Sequence, residues 1–117
     1  FLCRIAELAI TEGARTVNLP DTVGYATPGE YAAMFRDVLN RVPGADTVTL
    51  SAHCHDDLGL GVANTLAAVQ AGVRQLELTI NGIGERAGNA ALEEVVVLLN
   101  VRQATLGVTT NVHLDQR

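Results

Sequence analysis

Lysine is missing from all 117 residues, and the eight basic residues are all arginine. Schiff-base aldolase chemistry and the Walker-type phosphate loop both need a lysine, so neither resides in this stretch. Serine occurs once, at Ser51, with no G-x-S-x-G around it, which removes the serine-hydrolase class. Tryptophan is absent and aromatics make up only 3% of the chain, against 48% hydrophobic residues. The apolar content is therefore Ala, Val, Leu and Ile, the composition of buried parallel strands covered by helices. Two cysteines, Cys3 and Cys54, are too few for a disulfide scaffold and point to a reducing, cytoplasmic setting. No apolar run approaches the roughly 18–20 residues of a membrane span. Arg4 interrupts the N-terminus too early for a signal peptide. With 13 acidic residues and a formal net charge of −5, the chain offers no basic run to nucleic acid. The expectation is a soluble α/β chain.

An internal repeat sets the architecture. Gly13-Ala-Arg-Thr-Val-Asn-Leu19, Gly44-Ala-Asp-Thr-Val-Thr-Leu50 and Gly72-Val-Arg-Gln-Leu-Glu-Leu78 start 31 and 28 residues apart, close to the ~30 residues of one βα unit. Each glycine suits the left-handed residue that ends a helix, and the run behind it suits a buried strand. Helical patterns fill the gaps. Tyr31, Met34, Phe35, Val38, Leu39 and Val42 fall on one face, after a Thr27-Pro28-Gly29-Glu30 capping box. Val62, Leu66, Val69 and Val73 line a second helix, and Leu92, Val95, Val96, Leu99 and Arg102 a third. Leu2, Ile5, Leu8 and Ala9 belong to the tail of an earlier one. The order α-β-α-β-α-β-α implies parallel strands joined by right-handed crossovers. Without a G-x-G-x-x-G after the first strand, the preferred parent is a (β/α)₈ TIM barrel rather than an open doubly wound sheet. The chain reads as an excerpt, its C-terminal three βα units. Residues 1–102 would be part of the barrel and 103–117 a segment leading out of it. Two unpaired strand edges would make the isolated stretch prone to associate.

Polar chemistry gathers at the carboxyl ends of the strands, where barrels place function. In His53-Cys54-His55 the imidazoles, two apart on a strand, share a face while Cys54 points the other way as a small buried hydrophobe. Such a pair suits a divalent metal, and oxygen ligands nearby would favour Mn²⁺ or Mg²⁺; two partly exposed strand-end histidines are the alternative. Asp57 reads as a helix cap, and Asn89 opens the next helix as another. Gly82 to Asn89 is either a plain turn or a loop that lets backbone approach a ligand. Asp21 and Thr22 form a polar turn, or place a hydroxyl against a substrate carboxylate. Arg36, Arg41, Arg74 and Arg102 read as solvated helix surface.

Three motifs, Leu19-Pro-Asp-Thr-Val-Gly-Tyr25, His53-Cys-His-Asp-Asp-Leu-Gly59 and Asn81-Gly-Ile-Gly-Glu-Arg-Ala-Gly-Asn89, closely resemble the 2-isopropylmalate synthase branch of a metal-dependent (β/α)₈ family. The family also holds homocitrate synthase, citramalate synthase and hydroxymethylglutaryl-CoA (HMG-CoA) lyase. The resemblance covers roughly residues 1–102 and implies barrel strands six to eight. It implies condensation of acetyl-CoA with 3-methyl-2-oxobutanoate in the first committed step of leucine biosynthesis, by a homodimer or larger homo-oligomer. His53, His55 and Asn89 would hold Mn²⁺ or Mg²⁺, or Zn²⁺, as a Lewis acid, and Thr22 would take the oxo-acid carboxylate. Glu85 is the catalytic candidate within this stretch.

The sequence departs from the family pattern in places. Asp56-Asp57 stands where the family commonly has Asn-Asp. The first-strand D-x-x-R-E motif, which carries a further metal ligand, does not occur in this stretch, so the stretch alone is expected to be inactive. The absence of a cysteine from Gly82–Gly88 argues against a lyase, and Glu85-Arg86 favours a synthase over the aldolase branch. Homocitrate synthase, citramalate synthase and a non-catalytic half-barrel remain as alternatives.

Overall fold

The structure, a computed structural model, describes residues 1–115. Its elements run α1 (Leu2–Thr11), β1 (Thr16–Asp21), α2 (Pro28–Arg41), β2 (Thr49–Cys54), α3 (Gly61–Gln70), β3 (Gln75–Glu77), α4 (Leu92–Val101) and a four-residue α5 (Gln103–Leu106). The strands form one parallel sheet in the order β1-β2-β3. Register runs from Thr16 beside Thr49 to Asp21 beside Cys54, and Glu77 lies beside His53.

The repeat glycines do what their positions imply at two of three sites. Gly13 and Gly72 have φ of +103° and +113°. Behind each, paired backbone bonds close the helix end: Gly13 N to Ile10 O with Ala14 N to Ala9 O, and Gly72 N to Val69 O with Val73 N to Ala68 O. Gly44 differs, because Val42 already ends α2 and Gly44 instead starts the short 3₁₀ turn Ala45–Thr47.

Alternation along β2 divides the molecule. Leu50, Ala52 and Cys54 join the core formed with Phe35, Val38 and Ala68 of α2 and α3. Ser51 and His53 therefore face the opposite side. There Asn18 Nδ2 donates to Ser51 Oγ (2.8 Å) and Gln75 Nε2 donates to the same oxygen (3.2 Å), a polar row across all three strands.

Helix faces agree with the periodicity in α2 and α4 and depart from it elsewhere. Tyr31, Phe35 and Val38 are buried, and the capping box of Thr27 and Glu30 is present. In α4, Val95 and Leu99 pack against Val69, and Val96 is buried as well. In α3 the deepest residues are Asn64, Thr65 and Ala68, small enough to let the helix lie close to α2, whereas Val62 and Leu66 are only partly covered. In α1 the expected stripe of Leu2, Ile5 and Leu8 is exposed, and Ala6, with Cys3 and Ile10, makes the packing contact. Arg74 is not on a helix. It follows Val73 and donates to Val69 O and Val73 O (3.0 and 2.6 Å), satisfying carbonyls where α3 ends.

Candidate functional site

All three polar loops meet beyond the carboxyl ends of the strands. Alternation turns His53 away from the core, and its backbone N–H donates to the Tyr31 hydroxyl (3.3 Å), which itself donates to Leu19 O (2.6 Å). Burial pushes the Tyr31 phenol well above its ordinary value, so it stays protonated and can make that second bond. His55 leaves the strand through a bridge to Asn89, reinforced by Ala90 N to Cys54 O (3.0 Å) and Asp56 N to Gly88 O (2.9 Å). The backbone itself carries Asn89 to the histidines.

The side chains converge. His53 Nε2 and His55 Nε2 are 3.2 Å apart, and Asn89 Nδ2 lies 2.9 Å from His53 Nε2. His53 Nδ1 donates to Glu77 Oε2 at 2.9 Å, as register dictates for residues side by side on parallel strands. That bond leaves Nε2 as the ring's lone-pair nitrogen. Cys54 is buried behind the sheet, and burial holds its thiol above the ordinary range.

Arg86 joins the loops. Its guanidinium makes a fork with Asp57 (2.8 and 2.9 Å), donates to Thr22 O (2.8 Å) and reaches His55 Nδ1 (3.1 Å). Hydrogen bonds from Arg86 hold the Asp57 carboxyl below the usual carboxylate range, and the same bonds raise the guanidinium. Asp57 is thus no helix cap; Asp56 takes that role, accepting from Gly61 N at 2.9 Å. Asn89 is no cap either, since α4 begins at Leu92 behind Ala91. The glycines of the third loop fold it upon itself. A Cβ on Gly88 (φ +95°) would collide with Gly82 O, and one on Gly84 with the Asn89 side chain.

The structure therefore brings His53, His55 and Asn89 together and sets Thr22 beside them through its backbone oxygen. Glu85 stands apart, 74% of its side chain exposed, with an ion pair to Arg86 at 3.5 Å. Arg86, Asp57 and Glu77 had no site role in the sequence reading. Their partners lie 24 to 64 residues away along the chain, and only the strand register would have revealed Glu77.

Two facing imidazole nitrogens 3.2 Å apart approach the separation of neighbouring ligands on one ion, about 3 Å for metal–nitrogen bonds of about 2.1 Å. A carboxylate behind His53 is the usual second partner of a metal-bound imidazole. The donor set fits a divalent metal as part of a shell. Among the described residues no group of three or more His, Cys, Asp or Glu could hold an ion alone.

Parallel βα units with imidazoles and an amide gathered at their carboxyl ends define a barrel-type chain with a candidate metal site. A family profile described as HMGL-like matches residues 1–116, and the chain belongs to that family. It is 62% identical over 116 residues to the 2-isopropylmalate synthase of Methylobacterium nodulans, covering 99% of this chain and 22% of that protein. The Vibrio cholerae 2-isopropylmalate synthase is 57% identical over 115 residues, with 98% and 22% covered. The chain thus spans about a fifth of the length of these curated relatives. Among solved structures, the HMG-CoA lyase of Brucella melitensis superposes with a TM-score of 0.78 at 28% identity, over 97% of this chain and 40% of that one. An Acinetobacter baumannii HMG-CoA lyase in complex with coenzyme A and 3-methylmalate gives 0.79 at 27%, over 97% and 37%. Among the described residues no helix is long and apolar enough to cross a membrane.

Proposed function

We propose that this chain is part of a 2-isopropylmalate synthase, which joins the methyl carbon of acetyl-CoA to the ketone carbon of 3-methyl-2-oxobutanoate and then releases coenzyme A by hydrolysis. Residues 1–102 supply the last three βα units of its barrel, and 103–117 lead out of it, the last two outside the described residues. The carrying observation is the convergence of His53, His55 and Asn89 in a chain this similar to named synthases.

His53, His55 and Asn89 hold a divalent cation, Mn²⁺, Mg²⁺ or Zn²⁺, with further ligands from elsewhere in the barrel. When bound, the ion supplies Lewis-acid polarisation of the ketone oxygen. Glu77 orients His53 from behind. Thr22, fixed through its backbone by Arg86, lies at the rim to take the oxo-acid carboxylate. Glu85, exposed at the loop edge, is the candidate proton carrier. The groove between α1 and β1, lined by Leu2, Ile5, Ala9 and Val17, is where the preceding βα unit packs. The intact enzyme acts in the cytoplasm as a homodimer or larger homo-oligomer.

The test is thiol release by the intact protein from acetyl-CoA with 3-methyl-2-oxobutanoate, 2-oxoglutarate or pyruvate. Turnover with the first, abolished by EDTA and restored by Mn²⁺, is expected. Preference for 2-oxoglutarate or pyruvate would move the assignment to homocitrate or citramalate synthase.

A further inference from the structure

Asn64, on the first turn of α3, is a carboxamide with no exposed surface. A polar side chain buried this deeply is explained by its partners, and both partners of Asn64 lie in the loop that joins β1 to α2. Its Nδ2 donates to Ala26 O at 2.8 Å and, at the limit of bonding distance, to Asp21 Oδ2 at 3.5 Å. Its Oδ1 meets no donor among the described residues. An unpaired buried acceptor costs stability, so a residue kept only to fill this space would be apolar. The carboxamide serves the loop.

The loop is closed on itself at the same point. Asp21 Oδ2 accepts from Ala26 N (3.2 Å), and Asp21 O accepts from Gly24 N (3.2 Å). Asn64 thus grips both ends of the 21–26 loop from beneath. Above, Arg86 donates to Thr22 O (2.8 Å), and Asp57 lies so close to Gly24 that a Cβ there would strike its carboxylate. Asn64 also belongs to the stretch that carries the histidines, since α3 starts at Gly61, whose N–H donates to Asp56 Oδ1 just behind His55. Its bonds therefore fix the loop relative to the imidazoles.

We infer that Asn64 is a positioning residue that holds the 21–26 loop and so sets where the Thr22 hydroxyl stands relative to His53 and His55. For the reaction, Asn64 then governs binding of the 2-oxo acid. That link rests on the role proposed for Thr22; the clamp on the loop does not.

The test compares the intact protein with Asn64→Ala by hydrogen–deuterium exchange and by steady-state kinetics with acetyl-CoA and 3-methyl-2-oxobutanoate. Asn64→Ser replaces it if the alanine variant does not fold, because that hydroxyl can turn back to Leu60 O as Thr65 does to Gly61 O. Exchange should quicken in peptides covering 22–26 and stay unchanged over 81–89. KM for the oxo acid should rise about tenfold, the scale of one lost hydrogen bond. The KM for acetyl-CoA, kcat and Mn²⁺ affinity should change little, the pattern of lost ground-state binding. Thr22→Val should raise the same KM, and adding Asn64→Ala to it should raise it little further, because the two act in series. Unchanged exchange over 22–26 overturns the inference. So does a fall in kcat with both KM values unmoved, which is the mark of a merely structural residue, or full additivity with Thr22→Val. If exchange quickens while Thr22→Val leaves the oxo-acid KM unmoved, the clamp stands and the reading of Thr22 falls.

Discussion

The helix-covered side of the sheet and the rim at its carboxyl end are held by different forces. Beneath α2 and α3 the contacts are apolar: Phe35 and Val38 are fully buried, and Tyr31 meets Phe35 edge-on with ring centroids 5.0 Å apart. At the rim almost every contact is polar, running from Thr22 through Arg86 and His55 to His53 and Glu77. The first region spends its sequence on size and periodicity. The second spends it on donors and acceptors brought from three loops. Stability and chemistry are therefore separable in this chain, and substitutions in one region should leave the other largely alone.

The largest effect should come from the apolar side. Phe35→Ala removes the bulkiest fully buried side chain, and loss of burial together with the cavity left behind should destabilise the intact protein by about 3–5 kcal/mol. Denaturant unfolding monitored by circular dichroism measures it. A loss below about 1 kcal/mol would mean that the core lies elsewhere.

Two adjacent residues of β2 sharpen the contrast, because their side chains go to opposite regions. His53→Ala should weaken Mn²⁺ binding about 100-fold or more, the scale expected for loss of a ligand rather than of its support, while the protein still unfolds cooperatively. Cys54→Ala, on the core side, should cost about 1 kcal/mol of packing and leave Mn²⁺ affinity nearly unchanged. Calorimetric titration of both variants decides. Equal loss of metal binding would break the separation of the two faces.

The same division explains what was legible in the sequence. The helix-ending glycines Gly13 and Gly72, the α2 stripe and the His53-Cys54-His55 alternation are patterns within a few residues, and the structure keeps them, whereas Gly44 starts a 3₁₀ turn instead. Periodicity misled where a helix packs through small residues: α1 turns Ala6 inward and leaves Ile5 and Leu8 exposed, and α3 buries Asn64 and Thr65. Those choices depend on how closely two backbones approach, which a hydrophobicity pattern does not encode. The rim was legible as a collection of residue types but not as a network. Arg86 stood in a quoted motif, yet its bonds to Thr22, His55 and Asp57 exist only after three loops have met. Asp57, expected as a helix cap, pairs with Arg86 instead while Asp56 accepts from Gly61 N, because the choice between the two carboxylates is made only by the loop geometry.

The smallest effect concerns a polar device on the core side that was legible because it is local. Glu30 Oε2 accepts from Thr27 N at 2.9 Å and from the Thr27 hydroxyl at 2.9 Å, closing the capping box at the start of α2. The Thr27 backbone bond, then the hydroxyl bond, hold the Glu30 carboxyl below its ordinary value. A carboxyl lowered in the folded state contributes stability that is fully present above its unfolded value of about 4.3 and is lost as pH falls through the lowered folded value. Glu30→Gln keeps a side chain able to accept from Thr27 N but cannot titrate. Thermal melts at pH 6 and pH 3.5 should therefore show a slightly smaller acid-induced drop for Glu30→Gln than for the unaltered protein, which is slightly the more stable at pH 6, the two converging as the pH falls. An identical acid drop in both would show that the box, though formed, leaves no trace in stability, and that locally readable polar contacts in this fold mark where α2 begins without holding it.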